Sequence, residues 1–401
     1  MEINDFLSFD DTEIAFAHKS DVALWRSYLL FRLINNPNLV KKGTSLAMWA
    51  LDKHLPITPF VRYSIYEQFC GGQSLKKAVT TLNKMAQYNL KTMLDYGVEA
   101  KKTEKDFDKT SKQLLKAITF AGRRSDVPVV SIKITGLGQF ELFEAIDAAQ
   151  ELTPDQQAAF RRVKQRLHTI CQTAQKENVA IYFDAEESWI QDALDVLVNE
   201  LMAAYNRQAV VVYNTFQLYR HDRLAYLKQC HTHALQGGYI LGAKLVRGAY
   251  MEKERERAWK MGYASPIQPD KEATDRDFND ALLYCIDHLD QIAFCNASHN
   301  EQSATYLCRL IAERKLPRDH AHIWFAQLYG MSDHISYNLA NTGYNAAKYL
   351  PYGPVRDVVP YLIRRAQENT SVAGQAGREL SLLQDELRRR KAKSWWRWLP
   401  V

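Results

Sequence analysis

Residues 154–186 read PDQQAAFRRVKQRLHTICQTAQKENVAIYFDAE, a long amphipathic stretch that runs straight into a short apolar one. The first part has the length and spacing of a crossover helix, and VAIYFDAE (179–186) is apolar until its last residues. A near-continuous apolar strand fed by a helix is the repeating unit of a buried parallel sheet. The rhythm recurs in LKTMLDYGV (90–98), VPVVSIKIT (127–135), AVVVYNT (209–215), YILGAKLVRG (239–248), QIAFCNAS (291–298), HIWFAQLYG (322–330) and TGYNAAKYLPY (342–352). Eight such units over about 280 residues fit a distorted (β/α)8 TIM-type barrel better than a doubly wound open sheet, the alternative of the same class.

Residues 1–85 read differently. SDVALWRSYLLFRLI and FVRYSIYEQFC carry apolar residues at helical spacing, and NNPN and LPITP interrupt it. The expected organisation is an N-terminal helical region (1–85), the barrel (86–375), and a C-terminal helix with a basic, Trp-rich tail (376–401). The helix itself is expected over about 376–393, where GRELSLLQDELRRRK has helical spacing.

Composition excludes several classes. Of 401 residues, 46% are hydrophobic and 24% charged, the balance of a soluble globular protein. The six cysteines form no CxxC pair, so neither a disulfide framework nor a zinc site is indicated, and reduced cytoplasmic thiols are expected. The acidic start MEINDFLSFDDTE has no apolar core of a signal peptide. No apolar run approaches the roughly 20 residues of a membrane span. The net charge of +6 is local: Arg388, Arg389, Arg390, Lys391, Lys393 and Arg397 supply six cations with no acid after Glu386. The remainder is neutral, which argues against nucleic-acid binding by the barrel.

Barrel chemistry belongs at the C-terminal ends of the strands. Polar residues gather at those predicted ends: Lys133 near the second, Asp184 at the third, Gln217 just beyond the fourth, Lys244 and Arg247 at the fifth, His299 after the sixth and Tyr352 at the eighth. In KLVRGAY (244–250), Lys244 interrupts an apolar run and needs an anionic or electron-rich partner, and Gly248 permits close backbone approach. In FDAEESW (183–189), Glu186 and Glu187 are expected to open the next helix, leaving Asp184 for the pocket, opposite Lys133 or the arginines. NASHN (296–300) reads as a turn with Ser298 as helix cap. His231, His233, His320 and His322 lack the carboxylate or thiolate company of a metal site. No GxGxxG at a strand–helix junction and no GxxxxGK[ST] occurs.

PYLIRRAQENT places Tyr361, Arg364, Arg365 and Glu368 on one helical face, with Val355, Val358, Leu362 and Ala366 opposite. Asp357 is the expected N-cap and Pro360 lies in the first turn. Paired guanidinium forks suit bidentate capture of a carboxylate, while an Arg364–Glu368 pair on a solvated face is the plainer reading.

With SIKITGL, DAEES, KLVRGAY, ASHN, QLYGMSD, PYGPV and PYLIRRAQENTSV in this order, the chain from about residue 90 to 390 resembles the proline dehydrogenases, monofunctional FAD-dependent type. The resemblance implies a distorted barrel that binds FAD without a Rossmann motif and passes hydride from C5 of L-proline to flavin N5, giving Δ1-pyrroline-5-carboxylate in proline catabolism. It implies that Arg364 and Arg365 hold the proline carboxylate and that Lys133 reaches the substrate. Asp184, Lys244 and Lys133 would be the catalytic group. Ala185, Gln217, Lys244, Arg247, Gly248, Ala249, Ser298, His299 and Glu368 would border FAD, and Tyr250, Leu328, Tyr352 and Tyr361 would wall the proline ring. A subgroup carries RLVKGAY; here the cations are exchanged, so Lys244 takes the place near flavin N5 as a point charge rather than a planar fork. The link between Tyr352 and Tyr361 is also shorter than in that subgroup.

The resemblance further implies a membrane quinone as electron acceptor. ELRRRKAKSWWRWLPV, with its cations and Trp395, Trp396 and Trp398, suits peripheral contact with the inner face of the cell membrane, or packing back onto the barrel. Three rivals remain at this level: a hydroxyproline dehydrogenase of the same family, a Schiff-base lyase using Lys133 or Lys244, and a non-catalytic membrane-tethered barrel.

Overall fold

The computed structural model describes residues 7–36, 38–43, 53, 65–97, 102–355, 358, 361–362 and 375–396. Eight parallel strands close in sequence order: β1 (Lys91–Tyr96), β2 (Val129–Ile132), β3 (Ala180–Phe183), β4 (Val212–Gln217), β5 (Leu241–Val246), β6 (Ile292–Ala297), β7 (Ile323–Leu328) and β8 (Ala346–Tyr352). Each expected run coincides with one, although β4 extends two residues past its run at 209–215, and the open sheet is excluded. Contacts divide the chain into two compact units, one of residues 1–90, 97–99 and 327–401, the other of 91–96 and 100–326.

Among the described helices, the first unit holds α1 (Thr12–Phe16), α2 (Asp21–Ile34) and α3 (Leu75–Ala86). The second holds α4 (Glu104–Ala121), α5 (Phe140–Asp147), α6 (Pro154–Glu177), α7 (Ser188–Tyr205), α8 (Arg223–Gly237), α9 (Met251–Met261), α10 (Lys271–Asp287) and α11 (Glu301–Glu313). The first unit resumes with α12 (Asp333–Asn341) and α13 (Gln375–Trp396), the latter close to its expected span.

α6 shows why the opening stretch folds as it does. Thr153 and Gln156 form a reciprocal capping box, Pro154 occupies the first turn, and Asn178 ends the helix in the left-handed conformation. Val163, Leu167, Ile170, Cys171 and Ala174 are its buried stripe. The chain then enters β3, where Ile181 and Phe183 alternate with Tyr182, all buried.

Tyr182 pairs in register with Tyr213 of β4, and the rings lie 4.5 Å apart. Gly242 of β5 makes room for them: a Cβ there would stand 2.9 Å from Cγ of Tyr213 and 2.2 Å from the Val212 carbonyl. The second unit's part of the barrel is therefore a filled core, with polar groups displaced toward the strand ends.

In the first unit Phe16, Leu24, Phe31, Ile34, Phe69, Val355, Val358, Tyr361, Leu362, Leu382 and Leu383 share one apolar cluster. The expected core positions Val355, Val358 and Leu362 are buried, while Ala366, Asp357 and Pro360 lie outside the described residues.

Candidate active site

β5 sets the centre of the second unit's site. Lys244 lies in the strand interior, 7% exposed, in register with Thr215 and Cys295. Its Nζ is 2.6 Å from Oδ1 of Asp184, the residue that directly follows β3. Ser131 Oγ of β2 donates to the same oxygen at 2.7 Å. Asp184 is thus the anionic partner that Lys244 requires. An ammonium in an apolar strand is tolerable only with such a partner. The two side chains keep 9% and 12% of their exposure, so the pair is not sealed.

Arg247 follows β5 and is held on three sides. Its Nε donates to Asp275 Oδ1 at 2.7 Å, Nη1 to Ser298 Oγ at 2.6 Å and Nη2 to Ser303 Oγ at 3.0 Å. The guanidinium also lies 4.3 Å from the Phe278 ring centroid. Burial lowers the Arg247 pKa against the pull of Asp275. Burial raises that of Asp275, yet Lys271 and Arg247 outweigh it and hold the carboxyl below its usual range. Ser298 does not cap a helix: it accepts from Asn300 N–H, and Asn300 caps α11.

Gly248 adopts φ +148°, and a Cβ there would sit 2.4 Å from the Tyr219 ring, so the position admits only glycine. Ala249, Tyr250 and His299 follow strands β5 and β6 in the same unit. Gln217 is the last residue of β4 rather than beyond it, and its amide donates to the Glu186 carbonyl at 2.8 Å.

Glu186 departs most from expectation. It does not open α7; Glu187 is the residue before that helix. Glu186 is 4% exposed, accepts from Thr135 N–H at 3.1 Å and Thr135 Oγ1 at 2.5 Å, and its own N–H donates to Gln191. Burial raises its pKa to about 7 against Lys133 and Thr135. It pins the turn at Ile134–Gly136, which Lys133 precedes, to the segment that carries Asp184 and Ala185.

Sequence reasoning also missed Glu254 in α9. Fully buried, it accepts from Ser188 N–H and Oγ at 2.7 and 2.5 Å, capping α7 from outside. Within MEKERERAWK nothing separates it from the solvated charges around it.

In the first unit, Leu328 and Tyr352 are the last residues of β7 and β8, and Tyr352 and Tyr361 are 3% and 6% exposed. Leu328 packs against the apolar cluster that includes Tyr361. Arg364, Arg365 and Glu368 lie outside the described residues.

A closed parallel barrel with an ammonium–carboxylate pair that keeps a little exposure and a braced guanidinium toward its strand ends is the layout of a barrel enzyme. The family model for proline dehydrogenase matches residues 78–378. The carbapenem antibiotics biosynthesis protein CarD of Pectobacterium carotovorum subsp. carotovorum is 34% identical, over 90% of this chain and 94% of its own. The hydroxyproline dehydrogenase of Xenopus laevis is 32% identical over 96% and 90%. Among solved structures, proline utilization A (PutA) of Bdellovibrio bacteriovorus superposes with a TM-score of 0.71 at 20% identity, over 92% of this chain and 40% of that one, a likeness of fold. The chain belongs to the proline dehydrogenase family and is an oxidoreductase.

Proposed function

We propose that this protein oxidises L-proline to Δ1-pyrroline-5-carboxylate with FAD as its cofactor, in proline catabolism, and hands the electrons to a membrane quinone. The observation that carries the reading is the Lys244–Asp184 pair, a strand-borne ammonium held 2.6 Å from a carboxylate yet left partly open.

The residues present fit a flavin nucleotide. An electron-accepting ring and a diphosphate call for cations and hydroxyl or imidazole donors around a backbone that leaves space. Lys244, Arg247, Ser298 and His299 supply the donors, and Gly248 lets the main chain after β5 pass close to the Tyr219 ring beside them. Ala185, Gln217, Ala249 and Glu368 complete the proposed contact set. When bound, the flavin accepts the hydride from the carbon next to nitrogen.

The protein's own work is orientation. Arg364 and Arg365 hold the substrate carboxylate in two forks, and Lys133 reaches the same substrate. Tyr250, Leu328, Tyr352 and Tyr361 wall the ring. Asp184 fixes the position of Lys244, so that the ammonium stays aimed.

Hydroxyproline is the second reading, because relatives named as hydroxyproline dehydrogenases match nearly the whole chain. Turnover of the purified enzyme with a water-soluble dye acceptor, on L-proline and on trans-4-hydroxy-L-proline, decides between them. Trapping the cyclic imine with o-aminobenzaldehyde identifies the product. Faster turnover on L-proline is expected; a reversed preference reassigns the substrate, and turnover on neither overturns the reading.

A further inference from the structure

α2 is apolar on two opposite faces. Leu24, Phe31 and Ile34 are buried in the first unit's core. Opposite them, Val22, Trp25, Leu29 and Leu33 are 72%, 52%, 48% and 57% exposed. Their spacing of i, i+3, i+7 and i+11 makes one continuous stripe. Leu39, also exposed, follows in the short helical stretch at 38–43. A contiguous apolar patch of this kind marks an interaction surface.

The surrounding charge identifies the partner. From Lys19 to Gly43 the chain carries five cations (Lys19, Arg26, Arg32, Lys41 and Lys42) against one acid, Asp21. Lys19 meets Asp333 and Arg26 meets Glu67, while Arg32, Lys41 and Lys42 are exposed. α13 packs against α2 and adds exposed Lys391, and Arg388, which lies 3.5 Å from Asp385. A cavity of about 360 Å³ runs beside the stripe, shares Leu29 and Leu33 with it, and has Lys19, Arg26 and Lys84 in its wall alongside Glu67 and Asp333.

We propose that the outer face of α2 is a docking surface for an anionic lipid bilayer. The leucines and Trp25 enter the headgroup–acyl boundary, and Arg32, Lys41 and Lys42 meet lipid phosphates. A second copy of the chain fits worse, because it would bring like charges together. The inference shares with the proposed function its need for a membrane, but it rests on α2 and not on the Trp-rich tail.

Vesicle co-sedimentation tests it, using the purified full chain and vesicles of phosphatidylcholine alone or mixed with phosphatidylglycerol. The protein should pellet with the anionic vesicles, less so as salt rises. Leu29→Gln with Leu33→Gln should cut the partition at least about tenfold, and Arg32→Ser with Lys42→Ser should remove the preference for anionic lipid. Dye-linked turnover should be unchanged in both variants, which separates failure of the surface from failure of the proposed reaction. A wild type that stays in the supernatant overturns the proposal. So do variants that bind as well as wild type, or a stripe variant whose only change is a smaller oligomer in light scattering.

Discussion

Two buried Lys–Asp pairs sit in different units and serve different ends. In the second unit Lys244 and Asp184 stand 2.6 Å apart with 9% and 12% of their side chains exposed, and Ser131 donates to the same carboxylate oxygen. In the first, Lys348 of β8 and Asp333 of α12 stand 2.9 Å apart with 1% and 5% exposed. That pair is closed on every side. Lys348 also donates to the Met331 carbonyl at 2.5 Å, and Asp333 is met by Lys19 and His18 at 3.3 and 3.4 Å. Burial pushes the Asp333 carboxyl up, but Lys348, Lys19 and His18 carry it well below its usual range. Buried charge alone is therefore no signature of a site; what distinguishes the rim pair is unspent exposure at a strand end.

The sharpest way to break the comparison is Lys348→Met. It leaves Asp333 buried with less compensation and should cost about 3–5 kcal/mol of unfolding free energy, read by urea denaturation. Lys348→Met with Asp333→Asn should recover part of that loss. A cost below about 1 kcal/mol would mean that the sealed pair behaves like a surface one.

Asp184→Asn should do the reverse, because the loss falls on function. Dye-linked kcat/KM on L-proline should drop by about 100-fold, close to 2.7 kcal/mol, while the urea midpoint falls less than in Lys348→Met, because this pair keeps more of its exposure. A variant that unfolds as readily as Lys348→Met would erase the distinction.

Acid separates the units by sign. Burial lowers the His18 pKa to about 4, against the pull of Asp333. Between its unfolded value near 6.5 and that value, only the unfolded chain takes the proton. The first unit is thus destabilised as pH falls through that window, by up to about 1.4 kcal/mol per pH unit. Glu186, raised to about 7, does the opposite: the folded state takes the proton first, and stability is gained as pH falls from about 7 toward 4.5. Glu186→Gln should steepen the acid-side loss, and His18→Asn should flatten it, in unfolding curves at stepped pH.

The smallest effect concerns the exchanged cations. Lys244→Arg keeps the charge but replaces a point donor with a fork, and should change turnover by less than about tenfold. A larger loss would show that the compact ammonium itself is required.

Most of the barrel was legible because period and composition are local: every strand-like run coincides with a strand, though β4 outruns its run by two residues. The Lys244 anomaly was legible for the same reason, since one cation interrupts an apolar run. Its partner was not, because sequence fixes which residues end strands but not which of several strand-end groups meet. Glu186 was assigned to a helix start on dipole grounds, yet a hydrogen bond to Thr135, 51 positions away, claimed it. Lys348 and Asp333 raised no signal at all, since NAAKYLPY and MSDHIS each read as ordinary edges of an element.

The central claim is tested most directly by the visible absorption spectrum of the purified protein before and after anaerobic addition of L-proline. The account predicts flavin bands that bleach with L-proline, and less readily with hydroxyproline. A colourless protein that cannot be reconstituted with FAD, or flavin bands indifferent to L-proline, would contradict it.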